Sequence, residues 1–337
     1  MAIKIALFNH KGGVGKTTLT VNLARAFGQV GLSTLVADCD PQCNATAFYL
    51  DEKQVDALLD ESIDPEEGGT IWSGIAKSVR GRGDVRAVAT VEISKSVRLL
   101  PGDVLLATFE DRLSGAWKDS FSRDATAMDL MSALTRCVDL SAEEARSDVV
   151  LIDLGPSVGS LNRAILLGCD YFIVPVGCDL FSLRALRTLG QSLTAWVSDW
   201  KTVSKLAKDV EDVSLLTGRP VFLGYLTQHF NIYRGRSTRA FEEWETKIPA
   251  RITRDVTDRI RVIDSKLVPG WRSNKLGAIP AFHSLAPLAQ AEGVPIGGLR
   301  GLPSVNSGHY PKIEEADFLF KTIATEIASR LGLEPVL

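Results

Sequence analysis

The chain has no apolar run near the roughly 18 residues that a membrane span requires, and its 337 residues hold no internal repeat and no low-complexity tract. Cysteine is sparse: Cys39, Cys43, Cys137, Cys169 and Cys178 are scattered without the rhythm of a disulfide framework. Positive charge is not in excess either. The net charge is −3, so any contact with nucleic acid has to come from a local patch. No charged leader precedes the first apolar run. These absences lead to the expectation of a soluble, cytoplasmic protein of a reducing compartment. The length allows a substantial core.

What is present begins at Asn9. The run Asn9-His10-Lys11-Gly12-Gly13-Val14-Gly15-Lys16-Thr17-Thr18 follows apolar Ile3 to Phe8 and precedes the amphipathic stretch Leu19 to Phe27. Strand, glycine loop and helix in that order are what a phosphate-binding loop needs. Glycines let the backbone curl with its N–H groups pointing inward, and the helix N-terminus adds a favourable dipole for an anion. Lys16 is expected to reach the β- and γ-phosphates of ATP and the Thr17 hydroxyl to ligate Mg²⁺. The usual pattern opens with glycine six residues before the lysine, where this chain has His10; a second lysine, Lys11, stands at the start of the loop.

Further strand-like runs are Ser33 to Asp38, Val97 to Leu100, Ser147 to Asp153, Tyr171 to Val176 and Phe222 to Thr227, separated by helical spacing. Two helices are expected between Asp51 and Arg80, broken by Asp64 to Gly69. Such alternation predicts a doubly wound α/β fold with a mainly parallel sheet and helices on both faces. Ligands of such sheets bind at the carboxyl ends of the strands. Asp153 ends its strand there, as a Walker B carboxylate holding Mg²⁺ would.

The Asn9–Thr18 loop, with Asp38-Cys39-Asp40-Pro41-Gln42 and the Leu-Ile-Asp ending at Asp153, closely resembles the deviant Walker A P-loop ATPases of the ParA/MinD (Soj-like) family. That resemblance implies that Gly12, Gly13, Val14, Gly15, Lys16, Thr17 and Thr18 cradle the phosphates. It also implies that Asp40 contacts the attacking water, and that Asp38 supports the metal shell. It implies that Lys11 reaches across a nucleotide sandwich to the partner protomer, so that ATP joins a homodimer and hydrolysis releases it. With no strong base in view, slow turnover is expected, the behaviour of a switch. Ala278 to Phe282 resembles the late loop over the adenine, which makes Pro280 and Phe282 candidate base contacts. A family relative with an iron–sulfur cluster has a cysteine just after the second aspartate motif; Asp153 to Val158 has none here, which leaves the thiols as buried side chains.

The chain is read as one ATPase domain over 1–337 with a helical elaboration at about 183–275. Its long helical stretch from Leu183 to Val210 carries Trp196 and Trp200, either as core or as a partner surface. The segment Arg234 to Lys275 holds eleven basic against six acidic residues, an asymmetry in an acidic chain. Arg234, Arg236, Arg239 and Arg261 are its candidate DNA contacts, since nonspecific affinity comes from phosphate neutralisation. The resemblance then implies a partition or positioning ATPase with a ParB-like activating partner. The arginine that the family often places after its late Ile-Pro is missing from Pro280 to Leu285. The alternative is a regulatory subunit that docks an effector through Trp196, Trp200, Trp244 and Trp271. A membrane switch would need a basic amphipathic C-terminal helix; the run Ala316 to Leu331 has few lysines and reads as packed on the domain.

Overall fold

The computed structural model describes residues 1–61, 67–228 and 238–334, with the backbone alone for 238–242. Eight strands are β1 (Ile3–Leu7), β2 (Thr34–Asp38), β3 (Val91–Ser94), β4 (Val97–Leu100), β5 (Val149–Asp153), β6 (Tyr171–Gly177), β7 (Val221–Gln228) and β8 (Lys275–Ile279). They form a single sheet in the order β3-β4-β2-β5-β1-β6-β7-β8. Only the β3–β4 pair is antiparallel. This is the expected mainly parallel, doubly wound architecture. β3 and β8 were not anticipated; both are short and lie at the sheet edges.

Every residue of β2 and β5 is buried, the pattern of strands covered on both faces. The faces alternate with period two. Ala6, Val150 and Ile152 pack with the helices Ile71–Val79, Leu106–Ser120, Ala125–Glu144 and Leu180–Leu206. Ile5, Leu7, Val149 and Leu151 pack with Lys16–Gln29 and the C-terminal helix Tyr310–Leu331. That last helix buries Phe320, Ile323 and Ile327, as the spacing of its run from Ala316 predicted, and Ile313 before them. Among the described residues no helix is long and apolar enough to cross a membrane.

The long helix Leu180–Leu206 settles the place of its tryptophans. Trp200 is fully buried, stacks on Trp117 at 5.7 Å, and donates its indole N–H to Leu216 O at 3.0 Å. Trp196 is also buried, 6.1 Å from Phe8. The partner surface imagined from Trp196 and Trp200 is therefore core. Trp244 and Trp271 are partly buried against the two cores. Of the two helices expected between 51 and 80, Glu52–Glu61 and Ile71–Val79 are present; residues 62–66 of the intervening loop lie outside the described residues.

Candidate functional site

Two consecutive features of the sheet bring the site together. β2 and β5 pair in a register that sets Asp38 beside Asp153 at the carboxyl edge. β1 lies next to β5 and delivers the glycine loop to the same edge. The loop ends at Gly15, which has φ +65° and caps the helix Lys16–Gln29. The left-handed backbone there favours glycine, and a Cβ would lie 2.6 Å from the Gln228 amide oxygen, which would have to shift.

Lys16 is 7% exposed, and its ammonium donates to Asn9 O at 3.0 Å. Burial holds its pKa below the ordinary lysine value, with Asp153 and Asp40 opposing. Thr17 Oγ1 donates to Asp153 Oδ2 at 2.6 Å, and Thr20 Oγ1 to Asp153 Oδ1 at 3.3 Å. The hydroxyl and carboxylate picked out for Mg²⁺ are thus in direct contact. Burial, reinforced by the charge of Asp38, pushes the Asp153 carboxyl up to about 7 although the Thr17 bond works against it.

Asp38 lies one layer deeper. Its Oδ2 accepts from both the N–H (2.8 Å) and the hydroxyl (2.7 Å) of Thr46, and its Oδ1 from Asp40 N–H at 3.3 Å. Gly102 closes over it, where a Cβ would come within 2.9 Å of the carboxyl carbon. Burial raises its pKa to about 6, against those three hydrogen bonds. These bonds tie it to both ends of the Asp40–Thr46 turn. Asp40 faces the phosphate cavity, with Oδ1 accepting from Gln42 N–H at 3.0 Å. That cavity has a volume of about 400 Å³ and is walled by residues 12–18 of the loop.

Lys11 takes a position that no local pattern foretold. Its ammonium donates to Asp179 Oδ2 at 2.6 Å and to Ser182 Oγ at 2.9 Å. Asp179 caps the helix Leu180–Leu206 through the N–H groups of Phe181 and Ser182. Burial works against the Asp179 charge, but the Lys11 and Ser182 bonds more than offset it and hold the carboxyl below its ordinary value. His10, in place of the usual glycine, is half-buried with Nδ1 unpaired among the described residues.

Pro280 and Phe282 do not line the phosphate cavity. They line a neighbouring one of about 210 Å³ that shares Gly15 and Thr18 with it, and Gln228 forms part of its wall. Gln228 was not singled out from sequence; its place at the end of an apolar strand-length run was the available signal.

The basic segment is only partly within the described residues. Arg234 and Arg236 lie outside them, and so does the Arg239 side chain. Arg261 is exposed and pairs with Asp258 at 3.1 Å. Each acidic side chain described in the segment carries an ion pair; Asp255, for example, takes both Arg251 (3.3 Å) and Arg254 (3.0 Å). All five cysteines are free and buried, and no group of acidic, histidine or cysteine side chains among the described residues is arranged to hold a metal by itself.

Comparison with known proteins agrees with this geometry. The AAA domain family model matches residues 2–203. The sporulation initiation inhibitor protein Soj of Bacillus subtilis is 30% identical over 195 residues, 55% of this chain and 62% of Soj. The chain spans about half to under two thirds of the length of curated relatives it matches in this way. A crystal structure of a Corynebacterium diphtheriae protein superposes with a TM-score of 0.69 at 26% identity, covering 98% of each chain. The ATP complex of a McdA variant from Cyanothece shares the fold at 14% identity and a TM-score of 0.60, over 100% of this chain and 98% of that one. By its loop, its two aspartate motifs, its sheet and these matches, the chain belongs to the AAA domain family, within the ParA/MinD group of P-loop ATPases.

Proposed function

We propose that the chain is an ATP-dependent dimerisation switch with slow hydrolysis, of the partition or positioning type. The observation that supports this most is the convergence of three separated segments: Lys16, Thr17 and Asp40 line one cavity of about 400 Å³, and Asp153 stands behind it on the Thr17 hydroxyl. Thr17 and Asp153 would hold Mg²⁺, and a hydroxyl and carboxylate backed by further carboxylates suit a hard cation. The ion, when bound, spreads the charge of the β- and γ-phosphates. Lys16 turns from the Asn9 carbonyl to the phosphates. Asp40 orients the attacking water, with Asp38 holding the turn that carries it. Among the described residues no histidine or glutamate lines the phosphate cavity, in keeping with slow turnover.

Lys11 acts across the dimer, which requires it to leave Asp179 and Ser182. The homodimer partner meets the same carboxyl edge, where Val158, Leu180 and Phe181 are exposed (42%, 40% and 70%). An activating protein, ParB-like or an effector, would dock beside it; exposed Phe181 is the observation that favours the effector reading. Nonspecific DNA is contacted through Arg261, with Arg234, Arg236 and Arg239 as the further candidates of the same segment. The protein is cytoplasmic in this reading, and nucleoid-associated when on DNA.

The test uses Asp40→Ala, which keeps the phosphate cradle and stops hydrolysis, so that the ATP dimer accumulates in light scattering. This dimer should bind unrelated long duplexes alike, with affinity falling steeply as salt rises. Arg261→Ala should lower the salt slope by about one. An ATP dimer that ignores DNA at low salt overturns the partition reading in favour of the effector one; the absence of any ATP dimer overturns the switch.

A further inference from the structure

The helix that starts at the phosphate loop ends beside a second, larger cavity. Its volume is about 560 Å³, and it shares no lining residue with the phosphate cavity or with the smaller one next to that. Part of its wall is the last turn of the helix Lys16–Gln29, through Arg25, Gly28 and Gln29. The edge strand β3 and the segment Gly293 to Pro295 supply further walls. Volumes of several hundred cubic ångströms are those of small-molecule sites.

Two polar side chains of that turn are only half used. Asp317, from the C-terminal helix, accepts Arg25 Nε at 3.1 Å with one oxygen and Gln29 Nε2 at 2.7 Å with the other. An ionised carboxylate has no proton to give, so the Gln29 amide must turn its nitrogen to Asp317 and its orientation is fixed. The amide oxygen left over is buried and has no donor among the described residues. Such an acceptor forfeits its water partners without replacing them. The two terminal amino groups of Arg25 likewise donate to no described residue. One of them lies at the cavity wall, where a Cβ on Gly298 would come 3.8 Å from it. Positions four apart on a helix are neighbours, so one carboxylate holds unfilled donors beside an unfilled acceptor.

The charges around the cavity are matched. Arg25 is paired with Asp317, and Glu92 in the β3 wall with Arg98 at 3.5 Å. An ion that entered would lose its water and meet no unmatched counter-charge. We propose that this cavity is a second ligand site, for an uncharged amphipath with an amide head and an aliphatic body. The amide carbonyl accepts from Arg25 while the amide N–H donates to Gln29 Oε1. Both bonds need a donor and an acceptor side by side, which an acid or an amine does not offer in its charged form. The aliphatic body lies along Leu50, Ile93, Val97, Val294 and Pro295, the apolar part of the lining. A few fixed polar atoms in such a cleft orient a small ligand and give it specificity.

The experiment uses the full chain and the neutral fluorescent probe N-phenyl-1-naphthylamine, displaced by octanamide, octanoate or octylammonium, which share one apolar body and differ in the head. Octanamide should displace the probe at concentrations about tenfold or more below the other two. Val294→Trp fills the cavity from the loop, leaves the Arg25–Asp317–Gln29 cluster in place, and should abolish probe binding. Arg25→Met should remove the advantage of the amide while the probe still binds. Gln29→Met, which keeps the Arg25–Asp317 pair and so tests the head group even if Arg25→Met does not fold, should reduce the advantage about three- to tenfold, the worth of one hydrogen bond. Urea unfolding reports that each variant is folded. Saturating ATP with Mg²⁺ should leave the probe bound, since the two cavities share no residue. The proposal is overturned if the wild type does not bind the probe, or if Val294→Trp still binds it. It is overturned equally if ATP expels the probe, if the acid or the amine competes as well as the amide, or if the amide keeps its full advantage in the folded methionine variants.

Discussion

The two ends of the central sheet bury charge in opposite ways. At the amino end, Lys4 places its ammonium 2.6 Å from Asp139 and 3.8 Å from Asp170, and its own N–H donates to Asp170 at 2.8 Å. The two carboxylates keep about a third of their surface in water (29% and 38%), which meets the negative charge left over. Burial would discharge Lys4, but the Asp139 bond and the charges around it prevail and hold its pKa above the ordinary value. At the carboxyl end, Asp38, Asp40 and Asp153 are all buried around one ammonium, Lys16, whose hydrogen bond goes to a backbone carbonyl. Hydroxyls and N–H groups serve these acids, and burial still lifts Asp38 to about 6 and Asp153 to about 7. One cluster is complete within the chain. The other carries a surplus of negative charge, which is where the proposed Mg²⁺ would sit, and the arrangement of charge distinguishes the two ends more clearly than burial does.

The sharpest way to break this contrast is to remove the central cation of each cluster. Lys16→Ala should lower ATP affinity about a hundredfold or more, because it leaves buried phosphate charge unpaired. It should cost the fold less than it costs binding, since the ammonium's hydrogen bond is to the Asn9 carbonyl and what the fold loses is the charge that opposes Asp153 and Asp40. Calorimetry with ATP, alongside urea unfolding, separates the two effects. An affinity within threefold of the wild type would remove Lys16 from the site.

Lys4→Met should do the reverse. Breaking a buried pair strands its partner's charge, and with the two acids partly solvated the loss should be about 2–4 kcal/mol. Urea unfolding measures it, and ATP affinity should stay the same. A loss under about 1 kcal/mol would mean that the amino-end cluster is no more than a surface pair.

How legible these features were in the sequence follows from how local they are. The loop from Gly12 to Thr18 and the strand-ending Asp38 and Asp153 are written in contiguous residues, and β1, β2 and β5 are apolar runs that only a covered sheet accommodates. β8 was hidden because Lys275–Ile279 is five residues with a glycine at its centre, and was read as loop. The Lys11–Asp179 pair joins positions 168 residues apart, and helix spacing alone says nothing of such a contact. Trp196 and Trp200 were ambiguous because a helix periodicity shows which residues share a face and not which face is covered. Gln228 escaped notice because a glutamine closing a strand is ordinary until the cavity beside it is seen.

The smallest effect is the most discriminating. Asp153→Asn should make the nucleotide-free, Mg²⁺-free chain more stable at pH 8, with a rise of several degrees in Tm. In the wild type the carboxyl titrates near 3.8 when unfolded and at about 7 when folded, with Asp38, Asp40 and Lys16 facing it and the Thr17 and Thr20 hydroxyls on its oxygens. Between those values the folded state binds more protons than the unfolded one, so stability falls as pH rises. The contribution is fully present below about pH 4 and lost by the time pH has passed through 7, where the buried acid must carry its charge. Asparagine keeps the shape and has no charge to carry. Its advantage should therefore shrink as pH falls towards 4, while Mg²⁺ with ATP raises the wild-type Tm and leaves the variant's nearly unmoved. Thermal melts across pH 4–8 read the sign directly. A variant less stable than wild type at pH 8 would show that the three acids are already compensated within the chain, and the contrast between the two ends of the sheet would fail.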